Sequence, residues 1–179
     1  GMGLFTKVFT TLYPHIPVIE EGRLTDPLQA EHFLSRVHFF SDWLAIGNEG
    51  WTASKIMKFH SENKLFLLSK APASKRILGR LIADGCDAGD HPDHIALQYM
   101  TTAQIHLTKL TNNGQIAHAM EHVVGRLSLG LTKEDKKEIT QLIHDFRKGL
   151  LPRSAPLTLL NHHLKKLGAD TPMHSKFIS

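Results

Sequence analysis

The chain has 179 residues, of which 41% are hydrophobic and 21% are charged, and its formal net charge at pH 7 is +4. This length and composition are typical of one folded domain with a hydrophobic core rather than of a disordered chain. Neither a long apolar run nor a secretory signal pattern is present, so we expect a cytoplasmic protein with no membrane span. A single cysteine, Cys86, excludes an internal disulfide and a cysteine-rich metal site.

Lys and Arg are concentrated in two blocks of the sequence, residues 55–80 and 147–166. The two blocks hold twelve of the twenty-one Lys and Arg residues and one acidic residue, Glu62, whereas residues 81–146 hold five bases and nine acids. If the blocks meet on one surface, that surface favours a polyanion, because each cation that contacts a phosphate releases condensed counterions. The alternative interpretation is an ordinary solvated charged surface.

The chain begins with a segment rich in turn-forming residues. Residues 1–25 contain proline and glycine among scattered apolar positions, which predicts an extended N-terminal arm. Asp26 is a good N-cap and Pro27 suits the first helical position, so a helix begins there. Its apolar residues recur at intervals of three and four, and Gly47 and Gly50 end it.

Further helices are predicted along the rest of the chain. Thr52 caps a second helix that extends to about Ser69, and Pro72 begins a short third one. Residues 84–90, with three Asp and two Gly, predict a break. The remaining predicted helices are a long one from Pro92 to about Leu110, one over 115–129, one that a Thr132–Asp135 capping box begins and Gly149 ends, and one over 157–167 that Gly168 ends.

No segment alternates between apolar and polar residues with the period of a strand. We therefore predict an all-α protein with about six or seven helices in a single compact domain, residues 26–179, that follows the arm.

His60 and Lys64 lie four residues apart on the predicted second helix, on the same face as Ile56 and Leu67. One interpretation is the floor of a cleft that contacts an anion. The other is structural: a core histidine that bonds to a backbone carbonyl, beside a lysine whose ammonium group reaches solvent.

The segment from His118 to His122 matches the H-x-x-E-H pattern of a class of zinc peptidases, in which two histidines bind metal and the glutamate activates water. Helical projection places His118, Glu121 and His122 opposite the apolar side, so they face solvent, a cleft or a partner. A catalytic zinc site needs a third protein ligand, and neither Glu134 nor Glu138 has the required spacing. We therefore expect no metal, no cofactor and no catalysis, and a small zinc-dependent hydrolase using this motif stays an alternative.

A further basic surface is predicted around the last helix, which directs His162, Lys165 and Lys166 away from its leucines. The alternative for these residues is positive charge that complements the helix macrodipole. Imidazole rings stack on bases at RNA-reading surfaces, so histidines belong to the candidate site. The predicted RNA-binding residues are His60, Lys64, His118, His122, Arg126, Arg147, Lys148, Arg153, His162, His163 and Lys166.

Several spaced segments over residues 50–179 resemble the YbgA-like domain family, a domain of unknown function of the DUF1722 type. The segments that carry the resemblance are Phe59 to Leu68, Leu78 to Ala83, His118 to Gly125, Leu131 to Gly149, Pro152, and Pro156 to His163. The resemblance implies a domain that holds tRNA.

Residues 14–27 resemble something different, the tail and linker of a DUF523-type thiouracil desulfidase domain to which YbgA-like domains are often fused. The resemblance implies association with desulfuration of thiolated uracil, but the cysteines of the desulfidase iron–sulfur cluster are missing here. We therefore expect a non-catalytic, tRNA-binding helical module. A protein-interaction domain whose arm, residues 1–25, docks on a separate desulfidase is a further alternative.

Overall fold

The structure is a computed structural model that describes residues 3–169. These residues form nine α-helices, one 3-10 helix over Glu21–Thr25 and no strand, so the predicted all-α class is confirmed and the helix number is somewhat higher than expected. Within this range no helix combines the length and the apolar character that crossing a bilayer requires. The helices are α1 Leu4–Leu12, α2 Pro27–Gly47, α3 Ala53–Glu62, α4 Lys64–Lys70, α5 Pro72–Ala88, α6 Pro92–His106, α7 Asn113–Leu127, α8 Lys133–Arg147 and α9 Ser154–Lys166.

The predicted helix starts at Asp26 and Thr132 are confirmed by their hydrogen bonds. The Asp26 carboxylate accepts from the backbone N–H of Leu28 at 2.9 Å. At the start of α8, the Thr132 hydroxyl accepts from the Asp135 N–H at 3.0 Å and the Asp135 carboxylate accepts from the Thr132 N–H at 3.1 Å. Both caps satisfy backbone donors that the first helical turn leaves without partners.

The predicted extended arm is wrong for its first part, because residues 4–12 form α1. This stretch contains no proline or glycine, and the turn-forming Pro14 and Pro17 lie beyond its end. These two prolines therefore follow the end of a helix and do not keep the whole segment extended.

The predicted second helix is two helices, because the backbone leaves the α-helical conformation at Asn63 (φ −100°, ψ 8°). His60 ends up in α3 and Lys64 in α4, so the shared helix face expected for them does not exist. The predicted break over residues 84–90 is also wrong in its first half, since α5 continues to Ala88 and ends at Gly89 with φ +74°.

The described chain forms two compact units, and we call them the first and second unit. The first unit contains residues 3–60 and 73–110, and the second contains residues 61–72 and 111–169. Aromatic rings fill the core of the first unit. Trp43 stacks on Tyr99 with ring centroids 4.9 Å apart and meets Phe59 edge-on at 4.8 Å.

The second unit is built around α7, which packs against α4, α8 and α9. Its core is a single cluster of buried apolar side chains: Leu65, Leu68, Ala117, Ala119, Met120, Val123, Leu127, Leu131, Ile139, Ile143, Phe146, Leu157, Leu160 and Leu164. The Asn113 side chain at the start of α7 donates to the Phe146 carbonyl near the end of α8, at 3.2 Å. The two helices are therefore antiparallel, and the end of α8 lies beside the first turns of α7.

Gly85 allows α5 and α6 to approach closely within the first unit, and this generates a stability prediction. A Cβ at residue 85 would lie 2.9 Å from Cγ1 of Ile95, a buried β-branched side chain that cannot easily move aside. We expect Gly85→Ala to lower the Tm, with a loss of about 1–3 kcal/mol from overpacking, although alanine favours helix. Thermal unfolding followed by circular dichroism measures this.

The matched control is Gly79→Ala in the same helix, where a Cβ would make only an ordinary contact, 3.4 Å from His60. That variant should be as stable as the parent or more stable. A Gly85→Ala protein with an unchanged Tm would contradict the close packing.

Candidate nucleic-acid interface

Among the described residues, the excess of positive charge lies in the second unit. Its described residues contain eleven Lys and Arg against six Asp and Glu, whereas those of the first unit contain nine against ten. Ten of the eleven predicted RNA-binding residues lie in the second unit, and only His60 lies in the first. One unit is therefore nearly neutral and the other is basic. The two basic blocks of the sequence do not predict this difference, because residues of the first block are divided between the units.

The outward face of α7 carries a row of polar side chains. Ala117, Met120 and Val123 are fully buried, while His118 and His122 are exposed on the other side of the helix. The two imidazole rings meet edge-on with centroids 4.9 Å apart. Arg126, one turn further along, is exposed as well. The helical projection from the sequence is therefore correct for this helix.

Glu121 is the acidic member of this face, and it is bound to Arg147 of α8. Arg147 Nη2 lies 2.7 Å from Glu121 Oε1, and His118 Nδ1 lies 3.8 Å from Glu121 Oε2. The Glu121 and Arg147 side chains are both about two-fifths exposed, so the ion pair contributes at most about 1 kcal/mol to stability. Such a pair can open at low cost, and Arg147 can then bind another anion.

The turn after α8 presents further basic residues. Gly149 has φ +76°, and its N–H and that of Leu150 bond to the carbonyls of Phe146 and Asp145 at 2.9 Å each, which is a Schellman motif. Lys148 is exposed in this turn, and Arg153, half buried, is the N-cap residue of α9. Arg147 and Lys148, with His118 and His122 of α7, form what we call the basic end of the α7–α8 hairpin.

The residues predicted on α9 lie towards the other end of that helix, about 14 to 20 Å along its axis from Arg153 at 1.5 Å per residue. His162 and Lys166 are exposed there, but His163 is buried, with Nε2 3.9 Å from Asp135 Oδ1. His163 thus belongs to the packing between α8 and α9 rather than to the exposed basic edge expected for it.

The two predicted residues of the first block, His60 and Lys64, are less exposed than those on the outward face of α7. His60 is only 7% exposed and shares a 3.1 Å hydrogen bond with the Tyr99 hydroxyl, which burial keeps protonated by raising the pKa of Tyr99. This agrees with the structural alternative of a core histidine, here bonded to a tyrosine hydroxyl. Lys64 is half buried at the start of α4.

Five basic residues of the first block lie in the first unit, and two of these lie beside carboxylates. Arg76 and Arg80 line an open cleft of about 650 Å³ together with Asp84 and Asp90. These acids offset the local positive charge, so this cleft is a weaker site for a polyanion than the surface of the second unit.

Comparison with known proteins assigns the family. Residues 64–179 match the family described as Protein of unknown function (DUF1722). The chain belongs to this family. A relative from Escherichia coli (strain K12), described as Uncharacterized protein YbgA, is 24% identical over 131 residues that cover 73% of this chain and 77% of the relative. No solved structure matches the chain.

The DUF1722 match begins at the first residue of α4 and so includes every helix of the second unit. All candidate RNA-binding residues except His60 lie inside it. The segment 14–27, for which the sequence suggests a desulfidase linker, lies outside it, and that resemblance stays a prediction.

The alternative of a zinc centre in this DUF1722 domain finds no further ligand among the described residues. Across residues 3–169 no three or more His, Cys, Asp and Glu side chains are grouped so that they could hold a metal ion. Glu121, the presumed catalytic base, bonds to Arg147 instead.

Sequence reasoning identifies the basic residues but misses their acidic partners. Glu121 and Arg147 are 26 residues apart, and Asp135 and His163 are 28 apart, so no local pattern shows either pair. Helix pairing is the signal that could have found them, because antiparallel packing places the first turns of one helix beside the end of the next.

Asp135 generates a prediction on pH dependence in the DUF1722 domain. Hydrogen bonds from the Thr132 backbone and hydroxyl, with the charges of His163 and Lys166, hold the pKa of Asp135 below its ordinary value of 3.8. A carboxyl group with a lowered folded-state pKa stabilises the fold above about pH 4, and this stabilisation is lost as the pH falls through the folded-state value. Asp135→Asn should therefore be less stable than the parent at pH 7, with a difference that shrinks towards pH 3.

Urea unfolding at the two pH values measures this difference. Glu134→Gln is the matched control, because it removes an acid from the same helical turn without touching the capping box. If both variants lose equal stability at pH 7, charge near the helix start rather than the capping box is responsible.

Proposed function

We propose that this DUF1722 protein is a non-catalytic module that binds structured RNA, with tRNA as the expected ligand, through the second unit. The observation that carries the proposal is the excess of five positive charges in the described part of that unit, beside a first unit that is close to neutral. Phosphate contacts dominate the affinity of proteins for nucleic acids, and they need this kind of surface.

The geometry of the α7–α8 hairpin supports the proposal. Arg147, Lys148 and Arg126 provide cations on or next to one helical pair, and His118 and His122 provide exposed rings that are able to stack on unpaired bases. The described part of the second unit contains no Tyr or Trp, and its two Phe are half-buried or buried, so exposed imidazoles such as those of His118 and His122 are the rings that a single-stranded RNA segment would meet there. The resemblance noted in the sequence adds tRNA as the RNA class.

Charge reversal at Arg126 and Lys148 tests the proposal directly. Both side chains are exposed, so the double variant Arg126→Glu/Lys148→Glu should fold and should bind tRNA at least about tenfold more weakly, with a salt slope lower by about two. Glu121→Gln should do the opposite, because it removes a negative charge and releases Arg147. Filter binding at several salt concentrations measures both effects.

The control is Lys58→Glu/Lys109→Glu, which changes the net charge equally but on exposed residues of the first unit. This control should keep most of the affinity. Failure of the parent protein to bind tRNA would refute the function, and equal weakening by both double variants would refute the site.

A second candidate is docking on a desulfidase subunit, which the surface of α1 favours. Leu4 and Phe5 are 80% and 81% exposed, and Val8 and Leu12 are exposed on the same helix. Large apolar side chains gathered on one exposed face are typical of protein interaction sites. The desulfidase is the partner that residues 14–27, directly after α1, suggest by their resemblance.

Phe5→Ser/Leu12→Ser should abolish binding to a purified DUF523-type desulfidase and leave the Tm unchanged, because neither side chain is part of a core. Calorimetric titration measures the binding. The matched control is Leu129→Ser, which alters a fully exposed leucine of the second unit and should bind like the parent. If the parent protein shows no heat of binding, this candidate is wrong.

A further inference from the structure

A cavity of about 210 Å³ lies in the first unit between α1, the loop that follows it, α2 and α6. Thr6 and Thr10 of α1 line one side, and Arg36 and Gln104 line another. We propose that this cavity binds a small organic monocarboxylate, with Arg36 as the residue that holds its carboxylate group.

Arg36 is a buried cation without an anionic partner. It lies in the middle of α2 with 8% of its surface exposed, and its Nε donates to Gln104 Oε1 at 3.1 Å. Among residues 3–169 it forms no ion pair, and its two terminal nitrogens make no hydrogen bond. Burial also lowers the pKa of Arg36. An unpaired buried charge is costly, and an anion in the cavity would remove that cost.

The shape of the guanidinium group and the lining of the cavity indicate the class of ligand. A guanidinium binds a carboxylate through two parallel hydrogen bonds, and Gln104 fixes its orientation by holding Nε. The rest of the cavity is mostly apolar, with Ile16, Val18 and Ile105 among its lining. At a water's share of ~30 Å³ per non-hydrogen atom, the volume fits a ligand of roughly seven such atoms.

Glu20 limits the ligand to a single negative charge. Its side chain lines the cavity and is occupied by an ion pair with Arg23 at 3.3 Å. A second carboxylate on the ligand would approach this acid and be repelled. Hexanoate therefore fits better than a dicarboxylate or inorganic phosphate.

This proposal is independent of RNA binding. The cavity is lined by residues of the first unit, whereas the RNA surface consists of residues of the second. Either can fail in experiment without affecting the other.

Calorimetric titration of the whole protein with hexanoate tests the proposal, in a buffer without chloride or other carboxylates. We expect binding to one site per chain and a higher Tm with hexanoate. Hexanamide, which has the same shape without the charge, and succinate should bind at least about tenfold more weakly. Hexanamide that binds as well as hexanoate, or hexanoate that does not bind, would overturn the proposal.

Variants of Arg36 identify the residue responsible. Arg36→Met keeps most of the side-chain volume and should lose hexanoate binding at least tenfold, while Arg36→Lys keeps the charge and should lose less. Arg80→Met removes an exposed arginine elsewhere in the first unit and should bind like the parent. If Arg36→Met does not fold, Arg36→Lys decides the question. Hexanoate affinity equal to that of the parent, with an equal rise in Tm on adding hexanoate, would exclude paired hydrogen bonds from Arg36.

Discussion

The packing of one face of α7 against three other helices is the constraint on which the second unit depends. Ala117, Met120 and Val123 are fully buried, and α4, α8 and α9 all contact this helix. Because the apolar face is enclosed in this way, the residues on the opposite side of the same helix must face outward. The exposed position of His118 and His122 is thus a consequence of core packing, and the chemistry of the surface follows from the hydrophobic pattern beneath it.

The net charge of the second unit does not show which of its cations are paired with acidic residues. Asp135 is held in the capping box of α8, so its charge is tied to the start of that helix and to His163. Glu121 is bound to Arg147 near the opposite end of α8 and is exposed to solvent. The first acid therefore acts mainly on the fold, whereas the second controls how much positive charge the α7–α8 hairpin offers to a ligand.

The sequence predicts those features that depend on neighbouring residues and misses those that depend on distant ones. The caps at Asp26 and Thr132 and the helix ends at Gly149 and Gly168 need only local hydrogen bonds and backbone angles, and they are found as expected. Gly85 lies inside α5 instead of ending it, and the side chain that approaches it closely, Ile95, belongs to another helix. The local sequence does not distinguish His60 and His163 from exposed histidines. Both are buried, and their partners Tyr99 and Asp135 are far away in sequence. The division into two units has no local signal either.

The extent of burial decides which kind of anion each arginine can bind. Arg147 is exposed, and its partner Glu121 can be exchanged for a phosphate at little cost, because water solvates both groups when they separate. Arg36 is buried in the wall of a half-open pocket and has only the neutral amide of Gln104 as a partner, so an anion that binds it must give up part of its hydration and fit the pocket. An exposed, exchangeable cation suits a large and mobile polyanion, whereas a buried one selects a small ligand by shape and charge. The two proposed sites therefore differ in the class of anion that each one selects.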